Sequence, residues 1–267
     1  MERELQGGSD YGLDYERDMG DETEGAIRDA APDVLAPIDA SAPVSGHVVG
    51  PSTASSISES PEHDWKAAAA LIYPALRPVG TQGLHVDEID SAVLAADAAR
   101  SHSQPLLDEG PAGLPIVYTL NAGAFDVIVN GDHLLSWGVT PVAIQDAAMA
   151  NLRNWSGTAA WTDEVSGERR LLSSDTGDGW DATRIILPEV QERLSRELAP
   201  VGRVLVGLPE RHLLVAGALP PGDDEFASLF AEFIVEQSGG ADEPIDRRVF
   251  ELVNGRLVEF TDAPTAG

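Results

Sequence analysis

The alternation of short β-branched runs with helical patterns is the feature that most limits how this chain can fold. Three times along the chain, two strand-like runs separated by a short turn precede a helix, and the helices begin near residues 140, 181 and 223. Strands joined by short turns pair antiparallel, and the helices that follow them pack onto the resulting sheet. We therefore predict an α+β fold: an antiparallel or mixed sheet of repeated strand–strand–helix units, with the helices mainly on one face. The residues themselves do not repeat, so the architecture is repeated without a visible duplication.

The predicted strands are rich in β-branched and aromatic residues and are bounded by turn residues. They cover residues 115–121, 125–130, 158–163, 169–174, 203–208 and 212–218. The predicted helices cover residues 64–73, 87–99, 140–154, 181–198 and 223–237. Thr140 and Asp181 are suitable N-caps for two of these helices. Asn254-Gly255 predicts a final hairpin within residues 249–260.

The segment that precedes Asp64 differs in composition from the rest of the chain. Up to and including Asp64 the chain holds 15 acidic and 3 basic residues, with frequent Pro, Ser and Gly and no lasting periodicity. Such a segment buries too little apolar surface to offset the entropy of ordering. We predict a disordered acidic tail over 1–63, within which residues 26–38 are either a short docking motif or incidental aliphatics, and a single α+β domain over 64–262.

The net charge of −28 restricts the partners. Binding to a phosphate backbone needs a basic surface, and this chain has the opposite field. We therefore expect no nucleic acid and no anionic membrane surface among its partners. Lys66 is the only lysine, a composition typical of a high-GC or a salt-adapted bacterial genome.

The chain has no cysteine, which excludes disulfides, thiolate metal sites and cysteine nucleophiles. The N-terminal residues show neither the basic nor the apolar region of a signal peptide. The longest apolar run, residues 67–72, is too short to cross a bilayer, so membrane insertion is not expected. These features predict a cytoplasmic protein.

Residues 176–187 combine acidic residues, two glycines, Trp180 and Arg184 in a turn that leads into an apolar helical pattern. One hypothesis is structural: Asp178 and Asp181 lie at a helix N-terminus, where the dipole favours negative charge. The other is a ligand pocket, with Trp180 as a stacking face and Arg184 as an anion clamp. Asn151, near the end of the 140–154 helix, either stops that helix or faces the same pocket. The candidate ligand-binding residues are therefore Asp178, Trp180, Asp181, Arg184 and Asn151.

Catalytic and cofactor signatures are weak. Asp175, Asp178 and Asp181 lack the ligand spacing of a calcium loop, and no histidine pair has metal-ligand spacing. No nucleophile elbow, Walker loop or dinucleotide fingerprint is present. We predict no metal and no cofactor, and local motifs identify no catalytic residue.

From residue 71 onward the chain resembles the YtpQ-like family, bacterial proteins grouped under a domain of unknown function. The motifs that carry the resemblance are IYPALR at 72–77, AAMANLR at 147–153, DGWDATRI at 178–185 and VGLP at 206–209, with the Asn-Gly hairpin at the end. The order and spacing of these motifs agree with the family from Leu71 to the final hairpin. The resemblance implies a shared fold but no catalytic residue, because the family has no assigned activity. The acidic tail is not part of it.

Three hypotheses of function follow. The first is a non-enzymatic binding module that recognises an unidentified protein or small ligand beside the 178–184 turn. The second is a hydrolase-type enzyme that uses Asp178, Asp181 or His212 as acid or base. The third is an assembly protein whose acidic tail is the active part.

Overall fold

The computed structural model describes residues 61–96, 104–122 and 125–261, and these belong to one compact unit. The predicted acidic tail, including the 26–38 segment, lies outside the described residues. The helices are α1 (Trp65–Ala68), α2 (Ser91–Ala96), α3 (Gly131–Trp137), α4 (Pro141–Thr158), α5 (Pro188–Leu198) and α6 (Asp224–Gly240). Short 3₁₀ helices cover Val86–Glu88, Pro111–Gly113 and Ala182–Ile186.

The strands form two sheets. The first contains β1 (Ile72–Leu76), β2 (Leu84–His85), β3 (Leu106–Asp108), β4 (Ile116–Asn121) and β5 (Asp126–Ile128). Its order is β1-β4-β3-β2, with β5 also paired to β4, and only the β2–β3 pair is parallel. The second contains β6 (Thr162–Ser166), β7 (Arg169–Ser174), β8 (Arg203–Glu210), β9 (Leu213–Leu219), β10 (Val249–Val253) and β11 (Arg256–Glu259). Its order is β11-β10-β8-β9-β7-β6, entirely antiparallel.

The α+β class with antiparallel and mixed sheets is confirmed. Each predicted strand pair is antiparallel, and the Asn254-Gly255 hairpin joins β10 to β11 with both turn residues at positive φ. Thr140 caps α4 as predicted, since its side chain accepts a hydrogen bond from the Ala143 amide.

The helices divide between the faces of the second sheet. α5 contributes Val190 and Leu194 to the main hydrophobic cluster, which also contains α4, Val206 and Ala216. α6 packs on the opposite face, where its buried side chains join Leu205 and Val215 in a second cluster. Thus α4 and α5 share one cluster, as expected for helices mainly on one face, while α6 covers the other face.

Two glycines bring α6 close to the sheet. A Cβ on Gly207 of β8 would collide with the Ile234 side chain, and one on Gly217 of β9 would lie 2.8 Å from the Phe226 ring. The helix therefore rests directly on the backbone of β8 and β9. This placement leaves β6 beside the helix, while β7 meets α6 through the side chains of Leu171 and Arg169.

Several predicted boundaries are wrong. The helix predicted over 64–73 ends at Ala68, and residues 72–76 form β1 instead. The helix predicted over 181–198 is a 3₁₀ turn followed by α5 from Pro188. The strand predicted over 158–163 begins at Thr162, because α4 continues to Thr158. The helix predicted over 87–99 is a 3₁₀ turn and the shorter α2, and residues 97–99 lie outside the described residues.

Candidate functional site

Arg184, the proposed anion clamp, is buried in the core with 1% of its surface exposed. Its guanidinium donates to the Ser156 hydroxyl at 3.0 Å, the Ser174 hydroxyl at 2.6 Å and the Ser156 carbonyl at 2.8 Å. It also donates to the carbonyls of Ala159 and Ala160 at 3.4 and 3.3 Å. A guanidinium has five N–H groups, and all five are used here. The anion-clamp prediction is therefore corrected: Arg184 binds the carbonyls at the C-terminal end of α4, where the helix dipole favours a cation.

Two tryptophans flank this buried cation. The Arg184 guanidinium carbon lies 4.3 Å from the Trp161 ring centre and 5.3 Å from that of Trp155. Burial lowers the pKa of Arg184 to about 10, so the side chain keeps its charge at neutral pH. The aromatic faces and carbonyls thus replace the water that the cation loses on folding.

Asp181 is buried with none of its surface exposed. Its carboxylate accepts hydrogen bonds from the Ser174 hydroxyl at 2.5 Å, the Thr176 hydroxyl at 2.9 Å and the Thr176 amide at 3.2 Å. Asp181 immediately precedes the helical turn that begins at Ala182, as predicted, but its own backbone is helical and its side chain makes no hydrogen bond to that turn, so it does not cap it. The Ser174 hydroxyl donates to Asp181 and accepts from Arg184. One hydroxyl therefore connects two buried groups of opposite charge.

Trp180 and Asp178 belong to the same turn, but Trp180 is buried and Asp178 is exposed. The Trp180 ring stacks on Tyr73 with centres 3.9 Å apart, and it meets the Trp155 ring edge-on at 5.6 Å. Asp178 is exposed, and its carboxylate accepts a hydrogen bond from the Trp155 indole at 2.8 Å. Burial and, to a smaller extent, the Asp178 charge raise the pKa of Tyr73. The Trp180 ring is thus packed inside the protein, whereas the Asp178 carboxylate is exposed to solvent.

Asn151 acts elsewhere. Its side-chain amide donates to the carbonyls of Ala69 and Ile72, both at 2.8 Å, and so ties α4 to the start of β1. Within the described residues, no hydrogen bond joins Asn151, Asp178 and Arg184 to one another. The five candidate residues therefore surround one structural joint between α4, β1 and the 3₁₀ turn, and they do not line a common cleft.

The remaining candidate, His212, lies in the β8–β9 turn beside Arg211. Arg211 forms ion pairs with Asp126 of β5 and, at 2.9 Å, with Glu243, which Arg77 also approaches at 3.4 Å. Burial raises the pKa of Glu243, but the hydrogen bonds and charges of the two arginines outweigh it and leave that pKa below its ordinary value. This ion cluster connects the two sheets. Among the described residues, no hydrogen bond links His212 to Asp178 or Asp181, the other candidate acid–base residues.

Among the described residues, no group of three or more His, Asp or Glu side chains is placed to hold a metal ion. The described helices include none that is both long enough and apolar enough to cross a bilayer.

A groove beside α6 was not predicted. We call it the β7–β6 groove, and it has a volume of about 860 Å³. Its floor and far edge are residues of β6, β7 and β9, and its wall is α6. The lining includes Glu164, Val165, Ser166, Arg169, Leu171, Ser173, Asp175, Leu213, Val215, Phe226, Leu229, Phe230, Phe233 and Gln237. Leu229 is 50% exposed and Phe233 is 39% exposed, although both lie on an apolar helix face.

The charges around the β7–β6 groove are predominantly acidic. Arg169 is held by Asp223 at 2.7 Å and by Glu225 at 2.7 Å, so its charge is already balanced by two carboxylates. Glu164 and Asp175 are exposed at the groove. α6 itself carries four acidic residues and no basic one. The groove therefore has an apolar wall on α6 and two exposed carboxylates, Glu164 and Asp175.

The sequence could have predicted this groove from the width of the apolar stripe on α6. The sequence places Phe226, Leu229, Phe230, Phe233 and Ile234 on one helical face. In the structure, the stripe is wider than the contact with the sheet, so Phe226, Phe230 and Ile234 are buried while Leu229 and Phe233 remain exposed.

Comparison of the chain with models of protein families, with curated proteins and with solved structures finds no match.

Proposed function

We propose that this protein is a non-enzymatic interaction module, and that the β7–β6 groove binds a polypeptide segment with large apolar side chains and net positive charge. The observation that carries the proposal is the exposure of Leu229 and Phe233 beside an uncovered part of the sheet. A contiguous apolar surface bounded by polar residues is typical of a protein-binding site.

The charge of the partner follows from the charge of the protein. Glu164 and Asp175 line the groove, and the protein as a whole has a net charge of −28, so the groove attracts a cationic segment and repels an acidic one. A second copy of this chain, which also carries a net charge of −28, is disfavoured for the same reason. A basic partner is therefore the occupant that we propose, in place of the small ligand or the partner expected at the 178–184 turn.

The hydrolase hypothesis has less support. An acid or base must reach its substrate, whereas Asp181 is fully buried and already accepts three hydrogen bonds. We also keep as a proposal that the chain is a cytoplasmic, bacterial member of the YtpQ-like group. That assignment is compatible with an interaction module because the family has no assigned activity.

Selection of peptides from a random display library against the full-length protein tests the proposal. We expect enrichment of peptides that combine Lys or Arg with Leu, Ile or aromatic residues. Phe233→Glu places a charge in the groove and should weaken those peptides about tenfold or more, a loss of about 1.4 kcal/mol.

Val235→Glu is the matched control. Val235 is 51% exposed on the same helix but does not line the groove, so the change in charge is the same and falls outside the proposed site. Binding to this variant should stay within about twofold of wild type. Peptides that bind wild type and Phe233→Glu equally well would contradict the proposed site.

A further inference from the structure

We infer that the segment bound in the β7–β6 groove is an α-helix that lies beside α6 and across β7 and β6. The inference rests on the proposed function and adds the conformation of the partner. It follows from the width of the uncovered face, from the spacing of the exposed residues on α6, and from the position of the sheet edge.

The part of the sheet beside α6 is as wide as one helix. α6 lies over β8, β9 and β10 and meets β7 through the side chains of Arg169 and Leu171, and β7 and β6 extend the same sheet beyond β9. Two strands at about 4.8 Å spacing give a strip about 10 Å wide. An α-helix with its side chains is about 10–12 Å across, and packed helices lie about 8–10 Å apart. One helix beside α6 therefore fills the strip.

The residues of α6 that face this strip have helical spacing. Phe226, Leu229, Phe233 and Gln237 follow one another at intervals of three, four and four residues along the edge of α6. Such a row is the ridge against which a neighbouring helix packs. The ridge is about 16 Å long, so about three turns of a partner helix match its length.

An extended segment added to β6 does not explain the exposed residues as well. The two-residue turn after Ser166 makes the Ser166–Arg169 pair a hydrogen-bonded one, so the Val165 amide points to the free edge of the sheet. A strand paired there lies about 10 Å from β7 and farther still from α6. It leaves Leu229 and Phe233 in solvent, whereas a helix in the groove covers both.

Two synthetic peptides, each long enough for about four helical turns, test the inference with full-length protein. Both contain the same numbers of Leu and Lys, but one has leucine at helical spacing and the other alternates leucine with lysine. Their affinities are measured by fluorescence anisotropy for wild type, Phe233→Glu, Val235→Glu and Val165→Pro. The proline removes the outward amide of β6 without removing a bond to β7.

We expect the peptide with helical spacing to bind about tenfold more tightly than the alternating one. Phe233→Glu should reduce its affinity about tenfold, and Val235→Glu should leave it within about twofold. The circular dichroism spectrum of the mixture should show more helical signal than the sum of the spectra of the separate protein and peptide.

Tighter binding of the alternating peptide, lost in Val165→Pro, would overturn the helical conformation and leave the proposed function intact. If neither peptide distinguishes Phe233→Glu from Val235→Glu, the groove is not the binding site and both proposals fail. Self-association of the wild type that Phe233→Glu abolishes would identify a second copy as the occupant, which also overturns the inference.

Discussion

At the scale of single residues, Arg184 is the side chain whose environment is most demanding. Its five N–H groups all have acceptors, and three of these are carbonyls at the end of α4. Lysine keeps the charge but has three donors without the planar geometry. Arg184→Lys should therefore lower the free energy of unfolding by about 3 kcal/mol, because buried acceptors lose their partners. Urea denaturation measures the change.

Arg256→Lys is the control for that substitution, since Arg256 is exposed on β11. It should alter the free energy of unfolding by less than about 0.5 kcal/mol. Equal stability of the Arg184 and Arg256 variants would show that the buried hydrogen bonds contribute little.

The role of Arg184 was not predictable from its neighbours in sequence. A glycine-rich turn with tryptophan, arginine and aspartate is compatible with a binding site, and local geometry alone suggested that Asp181 caps a helix. What decides the role is the position of the last turn of α4, which precedes the β6–β7 hairpin in the chain and whose carbonyls lie beside the guanidinium. Contacts between distant segments of this kind leave no local pattern.

A second residue, Glu243, makes the stability depend on pH. Its pKa in the folded protein is below the ordinary value of 4.5, despite burial, because Arg211 and Arg77 stabilise the carboxylate. The stabilisation is therefore present above pH 4.5 and is lost as the pH falls through the lowered pKa. Glu243→Gln should lose unfolding free energy less steeply than wild type below pH 4.5. Glu232→Gln, an exposed change on α6, should follow the wild-type profile, and identical profiles for all three proteins would contradict the role of the ion cluster.

At the scale of secondary structure, the close approach of α6 to the sheet is the contact most sensitive to volume. Gly207→Ala should cost about 1–3 kcal/mol, because the new methyl group collides with Ile234. Ile234→Val removes one of the colliding carbons and alone costs about 1 kcal/mol. The double variant should lose less than the sum of the two, a coupling that a double-mutant cycle measures by urea denaturation. If the two losses of unfolding free energy add, the new methyl group at residue 207 and the Ile234 side chain do not compete for the same space.

Elements with complete local signals were predicted correctly, whereas the strands β1, β2 and β3 of the first sheet were not predicted. The Thr140-Pro141 start of α4 and the Asn254-Gly255 turn need only local geometry. By contrast, Pro74 suggested the end of a helix, yet it lies within β1. The reason is that β1 is the edge strand of the first sheet, where one side needs no donor. Strands of two or three residues, such as β2 and β3, are too short to show any alternation.

At the scale of the whole molecule, excess negative charge opposes the compact state. The chain carries 45 acidic and 17 basic residues, and most arginines in the described part of the chain are paired with carboxylates. The unpaired excess is thus acidic and repels itself over distances longer than single ion pairs. The same excess directs the protein towards basic partners, so stability and the proposed binding share one electrostatic origin.

The melting temperature should therefore rise with sodium chloride. Screening shortens the Debye length from about 30 Å at 0.01 M to about 10 Å at 0.1 M, which removes long-range repulsion before it weakens contact ion pairs. Differential scanning calorimetry at pH 7 should show an increase that levels off above about 0.15 M, and potassium chloride should give the same curve. Equal concentrations of an uncharged osmolyte should not reproduce the increase at these low concentrations. A melting temperature that falls with salt would mean that the arginine–carboxylate pairs outweigh the net repulsion, and it would remove the electrostatic argument for a basic partner.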